Sequence, residues 1–313
     1  MKAALQYFQI HLSFALSIGI ALAMFHAASA APPAYAADDD TSLLQADRMA
    51  FGPGNSWAAL NDGLLDAQFT WTDAAGETLN KSTFLKNVRS WNNSSLKESE
   101  TVAHVHGQVG IIQEHSDKTY VLRVWIRGDS RWRLLVYQAV LIGVPPANSG
   151  GGPCKNPCIK VPFHPRNADQ RDVIHAYQAV ERAVTAHNSA EWGAHIADEF
   201  FAVTSNSDRP VDKRTRMAGL DDQKVGGIAP FPLVSARMFE FGDVMIMTSR
   251  QQPAHGLPLH VTRIWFKRDT AWLEAYSYQT TIQGNVSAAT VEQKPLAGSS
   301  LASLRAFRTR LNR

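Results

Sequence analysis

Arg123-Val124-Trp125-Ile126-Arg127, followed by Asp129, Trp132 and Tyr137-Gln138-Ala139, returns as Arg263-Ile264-Trp265-Phe266-Lys267, Asp269, Trp272 and Tyr278-Gln279-Thr280. The spacing is identical from the first Arg to the second Trp, and one extra residue precedes the second Tyr-Gln pair. Solenoid units run roughly 20 to 50 residues, so a repeat that recurs after 140 residues, from Arg123 to Arg263, describes two whole domains. Strand alternation sets Val124 and Ile126, and likewise Ile264 and Phe266, on one face, with Arg123, Trp125, Arg127 and their counterparts on the other. The aliphatic face is expected to meet the helices. The Arg/Trp face is then the outer one, and a large aromatic there needs cover. The two sheets are therefore expected to pack together as an internal pseudo-dimer with Trp125 and Trp265 near the contact. The alternative is that each Trp lies flat on its own sheet under Arg stems.

The pattern around the motif supports this division. The first copy runs over about 41–144 and the second over about 167–285, with a linker at 145–166 that holds six prolines and Gly150-Gly151-Gly152. Apolar residues recur at helical spacing in Asp172–His187, and a short helix is expected over Ala190–Asp198 with Ser56–Leu65 as its counterpart. Short strands follow at Ala67–Thr72 and Phe200–Thr204, then polar turns, then a third short helix after Lys81 and after Lys213. Four strands close each copy: about 98–106, 108–114, 119–127 and 131–142, then 233–241, 243–249, 258–267 and 271–282. Helices first and a long antiparallel meander afterwards predict an α+β domain with helices on one face of the sheet.

The ends belong to neither core. Residues 1–37 read as a secretory signal peptide: Lys2, the apolar run Leu12–Phe25, and small-residue cleavage options near Ala30 or Ala36. The run is shorter than a membrane span of roughly 20 residues, so an exported chain, periplasmic or secreted, with no transmembrane segment is expected. The net charge is +3, or +2 without Lys2, which names no partner, and the basic tail over 286–313 reads as solvated rather than nucleic-acid binding. Cys154 and Cys158 lie in the linker, where a disulfide is the first expectation for an exported chain, ahead of free thiols or metal and redox chemistry.

The order helix, helix, strand, turn, short helix and four-strand meander, ending in R-[VI]-W-x-[RK]-x-D-x-x-W and Tyr-Gln, resembles the SnoaL-like/DUF4440 branch of the nuclear transport factor 2-like (NTF2-like) superfamily. Ketosteroid isomerase and limonene epoxide hydrolase belong to the same superfamily. The resemblance covers both copies and implies cone-shaped domains in which a curved sheet wraps three helices around an apolar pocket. Such cones serve isomerisation, cyclisation, epoxide opening, dehydration, ligand binding or dimerisation, so the resemblance carries no reaction with it. The carboxylate, tyrosine and acid set of the isomerases and the Asp/Arg/Asp set of the epoxide hydrolases find no match here.

Candidate site residues come from where the copies differ. His104 and His106 share one strand face and align with Phe239 and Phe241, so they are expected to point into the first pocket as acid–base groups or as part of a metal site, against a plain structural role. Glu274 interrupts an apolar strand where the first copy has Leu134; facing the pocket it would have a raised pKa, facing outward it would pair with a cation. Tyr137, Gln138, Tyr278 and Gln279 could orient a ligand's polar group or satisfy the sheet edge. No third ligand accompanies the histidines, so neither a metal nor a cofactor is expected. Gly-rich phosphate loops, G-x-S-x-G, H-E-x-x-H and paired C-x-x-C motifs are missing, which argues against nucleotide, serine-hydrolase and zinc-protease chemistry. Two functions stay open: a module that binds a small apolar ligand or a partner, and an isomerase, cyclase or hydrolase with one active pocket.

Overall fold

The computed structural model describes residues 35–52, 63–88, 99–129, 131–144, 159–222, 231–253 and 256–283, with side chains from Asp39 onward. The leader before residue 35, Cys154 and Cys158, the tail over 286–313 and most of the helix expected at Ser56–Leu65 lie outside the described residues. The first half contains α1 (Tyr35–Phe51), β1 (Leu65–Thr72), β2 (Thr78–Asn80), α2 (Lys81–Asn87), β3 (Glu100–His106), β4 (Val109–Ser116), β5 (Thr119–Gly128) and β6 (Arg131–Leu141). The second half contains α3 (Ala168–Thr185), α4 (Ser189–Ala194), β7 (Ile196–Thr204), β8 (Val211–Asp212), α5 (Lys213–Asp222), β9 (Leu233–Phe241), β10 (Val244–Gln251), β11 (Leu259–Arg268) and β12 (Ala271–Thr281).

Side-chain caps start the helices. Asn80 accepts from the Thr83 N–H at 3.0 Å, Asn167 from Gln170 at 2.9 Å and Asn188 from Glu191 at 3.0 Å. Lys81 and Lys213 do the same work in the two halves: each Nζ donates to a strand carbonyl, of Leu65 and Ile196, at 2.8 Å. The helix α1, by contrast, was not expected, and its Asp39 reaches Arg127 ahead of the boundary read at Thr41. Its buried stripe of Leu43, Asp47 and Ala50 has an acid in the middle, which breaks the apolar periodicity.

Each half forms a six-stranded sheet, in the orders β2-β1-β6-β5-β4-β3 and β8-β7-β12-β11-β10-β9. The four-strand meanders are as expected, but the sheets are mixed, because β1 runs parallel to β6 and β7 parallel to β12. A helix and four strands intervene in each case, long enough for the chain to return in the same direction. Register shifts fall between Val124 and Trp125 against β6, and between Ile264 and Trp265 against β12. A bulge bends its strand, and these two, placed alike, curve each sheet around its helices.

The sheets do pack against each other, and with the opposite face from the one expected. Val124, Ile126, Ile264 and Phe266 join Val109, Ile111, Val244 and Ile246 in one core shared by both halves. Trp125 instead lies with Leu43, Phe84 and Trp132 inside the first cone, and Trp265 with Tyr177, Trp192 and Phe200 inside the second. Both faces of the sheet are buried, so alternation identifies which residues share a face and not which side the helices take. The Trp face went inward because helices bring polar partners to it, whereas aliphatic side chains on matching positions cover each other across a two-fold-like contact.

The strand pairing also corrects the repeat. Arg123 stands opposite Tyr137 and Arg263 opposite Ser277, so Tyr137 matches Ser277 and Gln138 matches Tyr278. The Tyr-Gln pairs are one residue out of phase, which turns their side chains to opposite faces. Asp129 and Asp269 recur for a reason of backbone: both hold positive φ, 46° and 53°, in the hairpin turns before β6 and β12, a conformation Asp tolerates.

Candidate functional site

Each cone is organised around its repeated arginine. In the first, Arg123 is 3% exposed and donates from Nε and Nη2 to the two oxygens of Asp47 at 2.7 and 2.8 Å, and from Nη1 to Glu114. The Trp125 indole also donates to Asp47 at 3.0 Å. Phe51 lies under the guanidinium at 4.7 Å, and Tyr137 stacks on Trp71 with ring centroids 3.6 Å apart. Each side-chain nitrogen of Arg123 and Trp125 thus has a protein acceptor. Burial pushes the Asp47 carboxyl up, against the pull of Arg123.

The second cone repeats the arginine and redistributes the acids. The residue matching Glu114 is Ser249, and the acid reappears on β12 as Glu274, where the first copy has Leu134. Arg263 Nε is 3.2 Å from Glu274, and Nη2 donates to Glu181 of α3 at 3.4 Å. Tyr177 places its ring 5.2 Å below the guanidinium. Arg263 Nη1, Trp265 Nε1 and the Ser249 hydroxyl are buried there and have no hydrogen-bond partner. Buried polar groups are nearly always bonded, so the unmatched Arg263 and Trp265 nitrogens, whose counterparts on Arg123 and Trp125 are bonded, mark a difference between the copies. Burial raises the Glu274 carboxyl to about 7, with Arg263 drawing it down and Glu181 pushing it up; burial raises Glu181 as well.

The residues singled out in the sequence divide accordingly. Glu274 faces the second cone beside Arg263, and Tyr137 lies in the first. Gln138 and Tyr278 lie between the halves: Gln138 donates to the carbonyls of His260 and Tyr278 at 3.1 Å, and the Tyr278 hydroxyl accepts from Gln113 at 3.1 Å. Gln279 donates locally to Ser277 at 3.1 Å. His104 and His106 do not point into the first pocket. They follow Phe239 and Phe241 to the inter-sheet side, and the His106 ring lies 4.0 Å from Phe266 of the other half. Their orientation inverted together with that of the whole face. Among the described residues no three His, Cys, Asp or Glu side chains gather as a metal site, and no helix is long and apolar enough to cross a membrane. Asp47, Glu114 and Glu181 were missed, although a lone acid four residues from Tyr177 on the stripe of α3 was a readable signal for Glu181.

No protein-family model matches the chain, and no curated protein matches it. Solved structures do. An NTF2-like protein from Cytophaga hutchinsonii is 17% identical, and the match covers 37% of this chain and 100% of that one, with a TM-score of 0.32. An NTF2-like protein of unknown function from Pseudomonas putida is 14% identical over 36% of this chain and 87% of its own, with a TM-score of 0.30. A protein of the DUF3225 family from Pectobacterium atrosepticum is 14% identical over 37% of this chain and 92% of its own, with a TM-score of 0.32. Each match spans little more than one third of this chain.

Proposed function

We propose that this chain is an exported tandem NTF2-like binding protein whose second cone holds a small, largely apolar molecule through a neutral oxygen acceptor, with the first cone as its closed partner. The observation that carries this reading is the contrast between the copies: each side-chain nitrogen of Arg123 and Trp125 is bonded to Asp47 or Glu114, whereas Arg263 Nη1 and Trp265 Nε1 are buried and unmatched. Leaving a buried donor unmade costs about 1–3 kcal/mol, which a ligand oxygen recovers on binding. The ligand's polar atom is an acceptor, since guanidinium and indole only donate. It is neutral, because Arg263 already faces two carboxyl groups, Glu181 and Glu274, and a third would repel them. The leader with Lys2, Leu12–Phe25 and Ala30 or Ala36 supports export.

An enzymatic reading has one specific support. A carboxyl raised to about 7 can give or take a proton at neutral pH, and Glu274 stands beside the unmatched donors. Binding is common to both readings and is tested first. In calorimetric titrations, aryl ketones of one to three rings should bind with one site per chain, and Trp265→Phe should weaken them tenfold or more. Benzoate and benzylamine should bind more weakly than acetophenone. No binding across the ketone series, or affinity unchanged in Trp265→Phe, would contradict the proposal.

A further inference from the structure

The turn between β3 and β4 and the turn between β9 and β10 meet at the contact between the two halves, around a cleft of about 430 Å³. They are equivalent turns, with Gly107 and Gly242 at matching positive φ of 60° and 61°. In a dimer of identical chains the two sides of such a cleft would be the same. Here they are not: His106 faces the counterpart Phe241, Gln108 the counterpart Asp243, and Arg268 stands where the first copy has Gly128. The two walls of this cleft are chemically different.

Three rings line the cleft: His106, Phe241 and Phe266. The His106 ring lies 4.0 Å from Phe266 at 37°, and the Arg268 guanidinium is 5.4 Å from the same phenylalanine ring. Burial, then Arg268, lowers the His106 pKa, which keeps its imidazole neutral near pH 7. Lys267 and Arg268 line the cleft, but the carboxylates that hold them, Asp169 at 2.6 Å and Glu199 at 2.9 Å, do not; Asp243 is the one acid on the lining. A volume of 430 Å³ is within the range of about 300–1,000 Å³ usual for small-molecule sites. Cations beside aromatic faces suit a ring system carrying a negative charge.

We propose that this cleft between the domains is a second binding site, separate from the second cone, for a planar aromatic anion such as an aryl sulfonate or carboxylate. Naphthalene-2-sulfonate is the probe, titrated into the full chain by calorimetry and by NMR of the His106 ring protons. One equivalent should bind and shift those protons. Neutral 2-naphthol should bind at least tenfold more weakly, as should the sulfonate to Arg268→Gly and to His106→Ala, while Arg268→Lys restores most of the affinity and Trp265→Phe leaves it unchanged. Failure to bind at millimolar probe, equal affinity for 2-naphthol, or unchanged affinity in Arg268→Gly would overturn the proposal. So would a loss of affinity in Trp265→Phe, which would place the probe in the cone.

Discussion

Arg123 and Arg263 occupy the same position in two copies of one fold, and the difference in their partners carries most of the functional content. Asp47 satisfies both nitrogens of a bidentate pair and an indole at once. Asp47→Ala should therefore cost about 3–5 kcal/mol in urea unfolding, since it strands a buried cation. Glu274 behaves in the opposite sense. Its folded pKa lies near 7 against 4.5 for an ordinary glutamate, so between those values the folded chain keeps a proton that the unfolded chain gives up. Stability from this group is present below pH 4.5 and is lost as pH rises to about 7. Glu274→Gln, which leaves Arg263 paired with Glu181, should then unfold at higher temperature than the parent at pH 8, by an equivalent of up to about 3 kcal/mol. The gain should shrink towards zero at pH 4.5, and a gain independent of pH would speak against a buried, titrating carboxyl.

At the level of strands and helices, much was legible because period and punctuation are local. The eight meander strands, α3 and the short helices behind Lys81 and Lys213 follow from alternation, helical spacing and turn residues. What failed was relational. Alternation grouped Arg123 with Trp125 correctly but could not say which side the helices occupy, and that error carried His104 and His106 to the wrong cavity. The repeated Tyr-Gln pair was a coincidence of letters: the offset of 140 residues that sets Arg123 on Arg263 sets Tyr137 on Ser277, and the strand pairing keeps that offset through the bulges. Glu274 was legible, as a charge inside an apolar strand. The contact between the halves makes its own prediction at Gly76, which has a φ of 83° and whose missing Cβ would stand 2.6 Å from the Ile282 backbone. Gly76→Ala should lower stability by about 1–3 kcal/mol in chemical denaturation. Gly143→Ala, with a φ of 74° and open space around it, should cost less, since only backbone strain is added.

At the scale of the whole molecule, one apolar core belongs to both halves, and Gln138 ties it with donors to His260, Tyr278 and Thr280. Neither sheet can expose that face cheaply, so calorimetry should show one unfolding transition for the tandem rather than two. Within this single body the copies differ at the repeated arginine and tryptophan, whose side-chain nitrogens are all bonded in the first cone and not in the second. The two indole N–H signals of Trp125 and Trp265 report on this directly in a 15N-labelled chain titrated with aryl ketones. Trp265 should shift with saturating ligand while Trp125 stays in place, held by Asp47. A shift at Trp125 alone, or none at either indole, would contradict a ligand site in the second cone.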